Sequence, residues 1–241
     1  MALIETENIR RVSHALGADL EFWHFDLDAY AAKVPLGGLS ADEHARAARM
    51  AFPRDARRYL ASRHALRSVL AAALDCPAES VTIRIDEVDK PCLVDGGTLQ
   101  FNISHCANAG LIALSRSTPI GVDIEVIRPI ADADALARSH FTDQELAAWL
   151  HAAEPWRDQT FLACWTRKEA CLKALGVGLS APPSTVDAGC SPQVRVVSVP
   201  LGERQCTLTV YPLEVSPETV AAVALAGPEA VALARRFYQR S

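Results

Sequence analysis

Apolar positions change period several times along the chain, and each change marks an element. "EFWHFDL" at 21–27 reads as a short strand ahead of a Gly-Gly loop. "SADEHARAARMAF" opens with Ser40 and Glu43 at capping-box spacing and predicts a helix. Pro53 then starts "PRDARRYLASRHALRSVLAAAL", in which Leu60, Leu66, Val69, Leu70 and Leu74 recur on one stripe. Arg54 with Arg58 and Arg63 with Arg67 fall at i,i+4 elsewhere on that helix, which places them on its surface. Strand-like runs follow at 81–88, 98–104 and 109–115, separated by Pro, Gly and Asn turn signals.

The second half repeats the plan. "IGVDIEV" reads as a strand, Thr142 and Glu145 form another capping box before "QELAAWL", and Trp156–Leu175 is a long helix stopped by Gly176. Three more strand-like runs lie near 193–199, 206–213 and 219–225, after a loop of linker composition at 181–192. A long helix followed by three strands, twice at a shift of roughly 100 residues, predicts an α+β fold. The expected form is two similar α/β lobes in pseudo-twofold arrangement, each a long helix on a small, mostly antiparallel sheet, divided as 1–117 and 118–241.

Composition narrows the function classes. With 241 residues, 50% hydrophobic and 22% charged, the chain has enough apolar material for a substantial core. No apolar run reaches the roughly 18 residues of a membrane span. The N-terminal "MALIETENIRRVSHALG" lacks the pattern of an export signal, so a cytoplasmic protein is expected. Seven cysteines without a CxxC pair point to free thiols rather than a disulfide framework or zinc site. A net charge of −5 argues against nucleic-acid binding. Locally, however, seven arginines between Arg46 and Arg67 face the single acid Asp55, a candidate anion site.

The chemistry gathers around "GVDIEVIRP". In a strand, Asp123 and Glu125 share one face, where two carboxylates demand a positive partner. In "WTRKEACLKALG", Glu169 and Lys173 share a helix face and Trp165 lies one turn earlier on the same side. Alone, the Glu-Lys pair would be a surface salt bridge worth a few tenths of a kcal/mol. If Asp123, Glu125 and Glu169 converge, they form an all-oxygen site suited to a hard divalent cation such as magnesium. Lys173 and the arginine-rich helix would then face phosphates that the metal leaves uncovered.

Three motifs in order, "KPCLVDGGTLQFNISH", "GVDIE" and "WTRKEACLKALGVGL", with the upstream "ARRYLASRHALR", resemble the 4′-phosphopantetheinyl transferases of the surfactin-synthetase-activating type. The resemblance implies magnesium carboxylates at Asp123, Glu125 and Glu169, and Lys173 on the coenzyme A pyrophosphate. It places Arg58 and Arg63 in the family's basic helix. Lys90, Ser104 and His105 match positions that hold the nucleotide and its phosphates, His105 near the 3′-phosphate. Two residues depart from the family pattern, Asp89 where glycine is common and Cys106 where a small hydroxyl residue is common. Nearby residues have plainer readings: Glu145 as the capping partner of Thr142, Trp165 as support under the site, and Lys168 toward either the pantetheine arm or solvent.

The implied reaction transfers 4′-phosphopantetheine from coenzyme A to a serine of an apo acyl or peptidyl carrier protein, releasing adenosine 3′,5′-bisphosphate. Glu169 is the first candidate to accept the serine proton, directly or through a metal-bound water, and 127–152 is the expected place for carrier docking. One chain supplies the whole cleft, so a monomer is expected. The rivals are a magnesium-dependent coenzyme A or nucleotide hydrolase and a non-catalytic binder of coenzyme A or carrier protein.

Overall fold

The computed structural model describes residues 8–34, 38–86 and 90–238; Asp89 lies outside them. The chain runs β1 (Ile9–Arg11), β2 (Leu20–Asp26), α1 (Leu27–Lys33), α2 (Ala41–Ala48), α3 (Pro53–Leu74), β3 (Ile83–Ile85), β4 (Pro91–Leu93), β5 (Gln100–Cys106), β6 (Ala109–Ser115) and β7 (Ile120–Val126). It continues with α4 (Ala133–His140), α5 (Asp143–Leu150), α6 (Arg157–Leu175), β8 (Arg195–Leu201), β9 (Arg204–Leu213), β10 (Thr219–Ala226) and α7 (Pro228–Tyr238).

Local chemistry sets the helix ends. Ser40 and Glu43 close a reciprocal capping box on α2, and Thr142 and Glu145 do the same on α5. Pro53 opens α3 where a missing N–H costs nothing. Gly176, at φ +64°, ends α6, and Val177 N–H donates back to Leu172 O while Gly176 N–H donates to Lys173 O.

Two four-stranded antiparallel sheets form, ordered β1-β2-β6-β5 and β7-β10-β9-β8. In each, the strand ahead of the long helix pairs with the last strand after it, β2 with β6 and β7 with β10. That last strand then pairs with its predecessor, β5 or β9. This shared order is the repeat expected from sequence. Helix α3 buries Leu66, Val69 and Leu70 against Trp23, Phe25, Phe101 and Ile112 of the first sheet. Helix α6 buries Ala170, Cys171 and Ala174 against Val210, Ala222 and Ala224 of the second. The remaining sheet faces meet through Phe22, Leu111 and Ala113 on one side and Ile120, Val122, Ile124 and Val223 on the other. The order of layers is helix, sheet, sheet, helix, and each large buried side chain at these contacts contributes about 1.5–3 kcal/mol.

Strand alternation in β7 then decides the site. With Ile120, Val122 and Ile124 turned to the first sheet, Gly121, Asp123 and Glu125 are on the α6 side. A Cβ on Gly121 would lie 2.2 Å from Ala170 O and 2.3 Å from Ala174 N, so only glycine lets α6 press this closely on β7.

The structure corrects three expectations. Among the described residues of the run 81–88, Ile83–Ile85 forms the strand, and it pairs with β4 in a separate two-stranded sheet; Val88 and the residue before it lie outside the described residues. The first sheet is completed instead by β1 and β2, ahead of α3. Arg63 and Arg67 are buried rather than superficial, because Glu43 of α2 accepts from both. Finally, α7 adds a helix after the last strand, packed on the second lobe through Ala234, Val231 and Leu233.

Candidate active site

Strands β5 and β7 run side by side, and their side chains tie the lobes together at two-residue steps. Asn102 Oδ1 accepts from Val122 N–H at 2.9 Å, Ser104 Oγ donates to Asp123 Oδ1 at 2.7 Å, and Cys106 Sγ donates to Glu125 Oε2 at 2.8 Å. From α6, Lys173 Nζ reaches Asp123 Oδ1 at 2.6 Å and Ser104 Oγ at 3.1 Å. Arg128 Nη1 donates to Glu125 Oε2 at 2.6 Å. Lys173 and Arg128 are thus positive partners of the two strand carboxylates. The Arg128 partnership was missed in the sequence, although "IEVIRP" holds its i+3 spacing.

Two carboxylate groups keep unused capacity. Asp123 Oδ2 is buried without a hydrogen-bond partner. The side chain of Glu169, half-buried on α6, makes no hydrogen bond with a described residue. Burial pushes the Asp123 carboxyl up against the pull of Lys173. Burial also raises Glu169, aided by repulsion from Asp123 and Glu125 and opposed by Lys173. Lys173 thus holds Asp123 and Arg128 holds Glu125, while Asp123 Oδ2 and the Glu169 carboxylate keep oxygens of the kind a hard divalent ion takes. Among the described residues, no three His, Cys, Asp or Glu side chains stand as a preassembled metal-ligand group. Asp123 Oδ1 is turned to Lys173 and Ser104, and Glu125 is drawn toward Arg128 and Cys106.

Beside this junction lies a cleft of about 730 Å³ between α2, α3, the β3–β4 pair and β5, with Arg63, Ser104, His105 and Lys173 in its lining. Arg46, Arg67, Arg84 and Tyr59 also line it. Arg46 and Arg67 belong to the arginine run seen in the sequence, whereas Arg84 comes from the strand that left the sheet. Glu43 holds Arg63 through Nε at 2.8 Å and accepts from Arg67 Nη2 at 3.1 Å, so both guanidinium groups are fixed in place. His105, near the end of β5, is held below its ordinary pKa by partial burial and then by Lys173. Its ring lines the cleft and can offer an N–H to an anion.

Arg58 and Lys90 stand outside that lining. Arg58 grips Asp28 in a fork, Nε to Oδ1 at 2.8 Å and Nη2 to Oδ2 at 2.5 Å. Lys90 Nζ donates to Lys173 O at 2.8 Å, and burial followed by repulsion from Arg235 lowers its pKa to about 8.

Neither alternative for Lys168 survives. It is fully buried, with Nζ 2.5 Å from Glu145 Oε2 and donating to Pro183 O at 2.9 Å and Val186 O at 2.6 Å. Those three acceptors satisfy all three ammonium protons and tie the 181–188 loop to α5 and α6. Glu145 is the capping partner of Thr142 and also accepts from Gly189 N–H at 2.9 Å. Trp165 is partly buried, packed beside Phe161 and Cys164 with its ring edge-on to His140.

Among the described residues, no helix is long and apolar enough to cross a membrane. The profile of the 4′-phosphopantetheinyl transferase superfamily matches residues 119–215, and that of the 4′-phosphopantetheinyl transferase N-terminal region matches 28–117. The chain is 34% identical over 170 residues to the 4′-phosphopantetheinyl transferase HetI of Nostoc sp., covering 68% of this chain and 72% of that protein. It is 30% identical to the 4′-phosphopantetheinyl transferase ffp of Bacillus subtilis and 28% identical to Sfp of the same species, strain 168, each match covering 79% of this chain and 84% of the relative. These matches, on a chain whose paired sheets meet at the Asp123–Lys173 contact, place it in the 4′-phosphopantetheinyl transferase family.

Proposed function

We infer that the protein transfers 4′-phosphopantetheine from coenzyme A to a serine hydroxyl of an apo acyl or peptidyl carrier protein, releasing adenosine 3′,5′-bisphosphate. The observation that carries this reading is the junction where Lys173, Ser104 and Asp123 bond to one another beside the arginine-lined cleft. A polyphosphate can lie there with its anionic chain along the cations and its reacting phosphorus near the carboxylates.

Magnesium is the assigned cofactor, with Asp123, Glu125 and Glu169 as its ligands; bound there, it would neutralise pyrophosphate charge and polarise the attacked phosphorus. The orphaned Oδ2 of Asp123 and the unpartnered carboxylate of Glu169 support that assignment. Lys173 holds the pyrophosphate on the α-phosphate side, and Ser104 and His105 offer donors to the nucleotide phosphates. Arg63, fixed by Glu43, places positive charge along the cleft. Arg58 and Lys90 are assigned to the nucleotide end, a role that requires each to exchange part of its present bonding for a phosphate. Glu169 takes the serine proton as the oxygen–phosphorus bond forms and the bond to the departing adenosine bisphosphate breaks.

In this reading residues 1–117 hold the adenosine end and residues 118–241 the pyrophosphate end. On the same reading the protein is a monomer acting in the cytoplasm, with the cleft lined by residues of one chain, and α4 and α5 are where the carrier would dock. The direct test is to follow release of adenosine 3′,5′-bisphosphate from coenzyme A with and without an apo carrier. Release that requires the carrier is expected; equal release without it would mean hydrolysis.

A further inference from the structure

The C-terminal helix bears on the cleft from a distance. Its apolar side, with Ala234 fully buried, is anchored on the second lobe, and from there Arg235 Nη2 reaches Asp86 Oδ2 of the first lobe at 2.9 Å. Asp86 follows β3, and its other carboxylate oxygen accepts from Lys90 N–H at 2.8 Å while its own N–H donates to Lys90 O at 2.9 Å. The β3–β4 pair supplies Ile83, Arg84, Ile85 and Pro91 to one wall of the cleft. One carboxylate thus joins α7 to that wall.

The wall rests on the C-terminal turn of α6, the helix that carries Glu169 and Lys173. Lys90 Nζ donates to Lys173 O, and Arg235 crosses Gly176 so closely that a Cβ there would lie 2.5 Å from Nη2. Two cations at the carbonyl end of a helix are favourably placed against its dipole. The first contact joins the wall to the helix, and the second lets α7 hold it there.

We propose that Arg235 is a positioning residue for coenzyme A: through Asp86 it holds the β3–β4 wall and Lys90 against the end of α6, setting the width of the cleft. The proposal rests on coenzyme A occupying that cleft. Arg235 itself is not among the residues that line the cleft.

The test compares the wild-type chain with Arg235→Ala and Arg235→Lys, reading steady-state transfer to an apo carrier and amide hydrogen exchange of 83–86 and 90–93 in the protein without coenzyme A. Arg235→Ala should raise KM for coenzyme A roughly fivefold or more while kcat at saturating coenzyme A changes less than about twofold. Exchange in the wall should accelerate while the α3 core keeps its protection. Arg235→Lys, which keeps a single donor for Asp86, should recover part of both effects. Unchanged exchange would overturn the tether; faster exchange with unchanged KM would overturn its role in positioning coenzyme A. An equal loss in kcat would also overturn it, marking a general structural role. If the wild-type chain loads no carrier, the transferase reading fails instead, and the exchange measurement still decides the tether.

Discussion

Lys173 Nζ lies 2.6 Å from Asp123 Oδ1, joining the end of α6 to the middle of β7. Gly121 makes this contact possible, because the missing Cβ brings α6 within reach of the strand two residues before Asp123. The pair is also asymmetric. Asp123 is nearly inaccessible and keeps one oxygen without a partner, whereas Lys173 is partly exposed along the cleft.

That asymmetry predicts a split between stability and activity. Asp123→Ala leaves Lys173 partly exposed to water rather than sealed in the core, so it should cost less in thermal unfolding than the loss of a fully buried partner. Carrier loading should fall at least about 100-fold, because the proposed magnesium ligand is lost. Calorimetry and a loading assay on the same sample check both halves.

Lys168 predicts the reverse. Its ammonium and the Glu145 carboxylate are both fully buried, so Lys168→Ala leaves an uncompensated charge and should cost about 3–5 kcal/mol in denaturant unfolding. Glu145→Ala should also loosen α5 by opening its capping box, seen as faster amide exchange over 143–150.

Lys90 should make coenzyme A affinity depend on pH. Its pKa of about 8 in the fold lies below the ordinary 10.5, so the charge available to a phosphate disappears above pH 8. KM for coenzyme A should rise through that region, and Lys90→Arg, which stays charged, should flatten the rise. Stability moves the other way. Across the interval from the folded pKa to the ordinary one the unfolded chain binds more protons, so the wild-type chain gains stability with rising pH relative to Lys90→Met.

Gly176→Ala combines two costs. A left-handed backbone at φ +64° penalises a side chain by about 1–2 kcal/mol, and the new methyl meets Arg235. Denaturant unfolding should report the first cost, and faster exchange of the β3–β4 wall the second.

Local rules made much of this legible in the sequence. Both capping boxes, the glycine stop after α6 and the alternation of β7 are short-range signals, and the structure realises each of them. The shared face of Asp123 and Glu125 followed from that alternation. Failures arose where tertiary partners override a periodic pattern. Arg63 and Arg67 look superficial until Glu43, some 20 residues away, buries them. Lys168 reads as facing either the pantetheine arm or solvent until Glu145 and two loop carbonyls close over it. The β3 run alternates as a sheet strand does, yet among the described residues it pairs with β4 alone and becomes a cleft wall, which periodicity does not encode.

The central claim is tested most directly by intact-protein mass spectrometry of an apo carrier protein incubated with this protein and coenzyme A, with magnesium or with a chelator. A mass gain of one phosphopantetheine on the carrier is expected, present with magnesium, absent with the chelator and lost in Asp123→Ala. Full loading in the chelated sample or by the Asp123→Ala variant would contradict the assigned site, and coenzyme A consumed while the carrier stays unmodified would contradict the transferase.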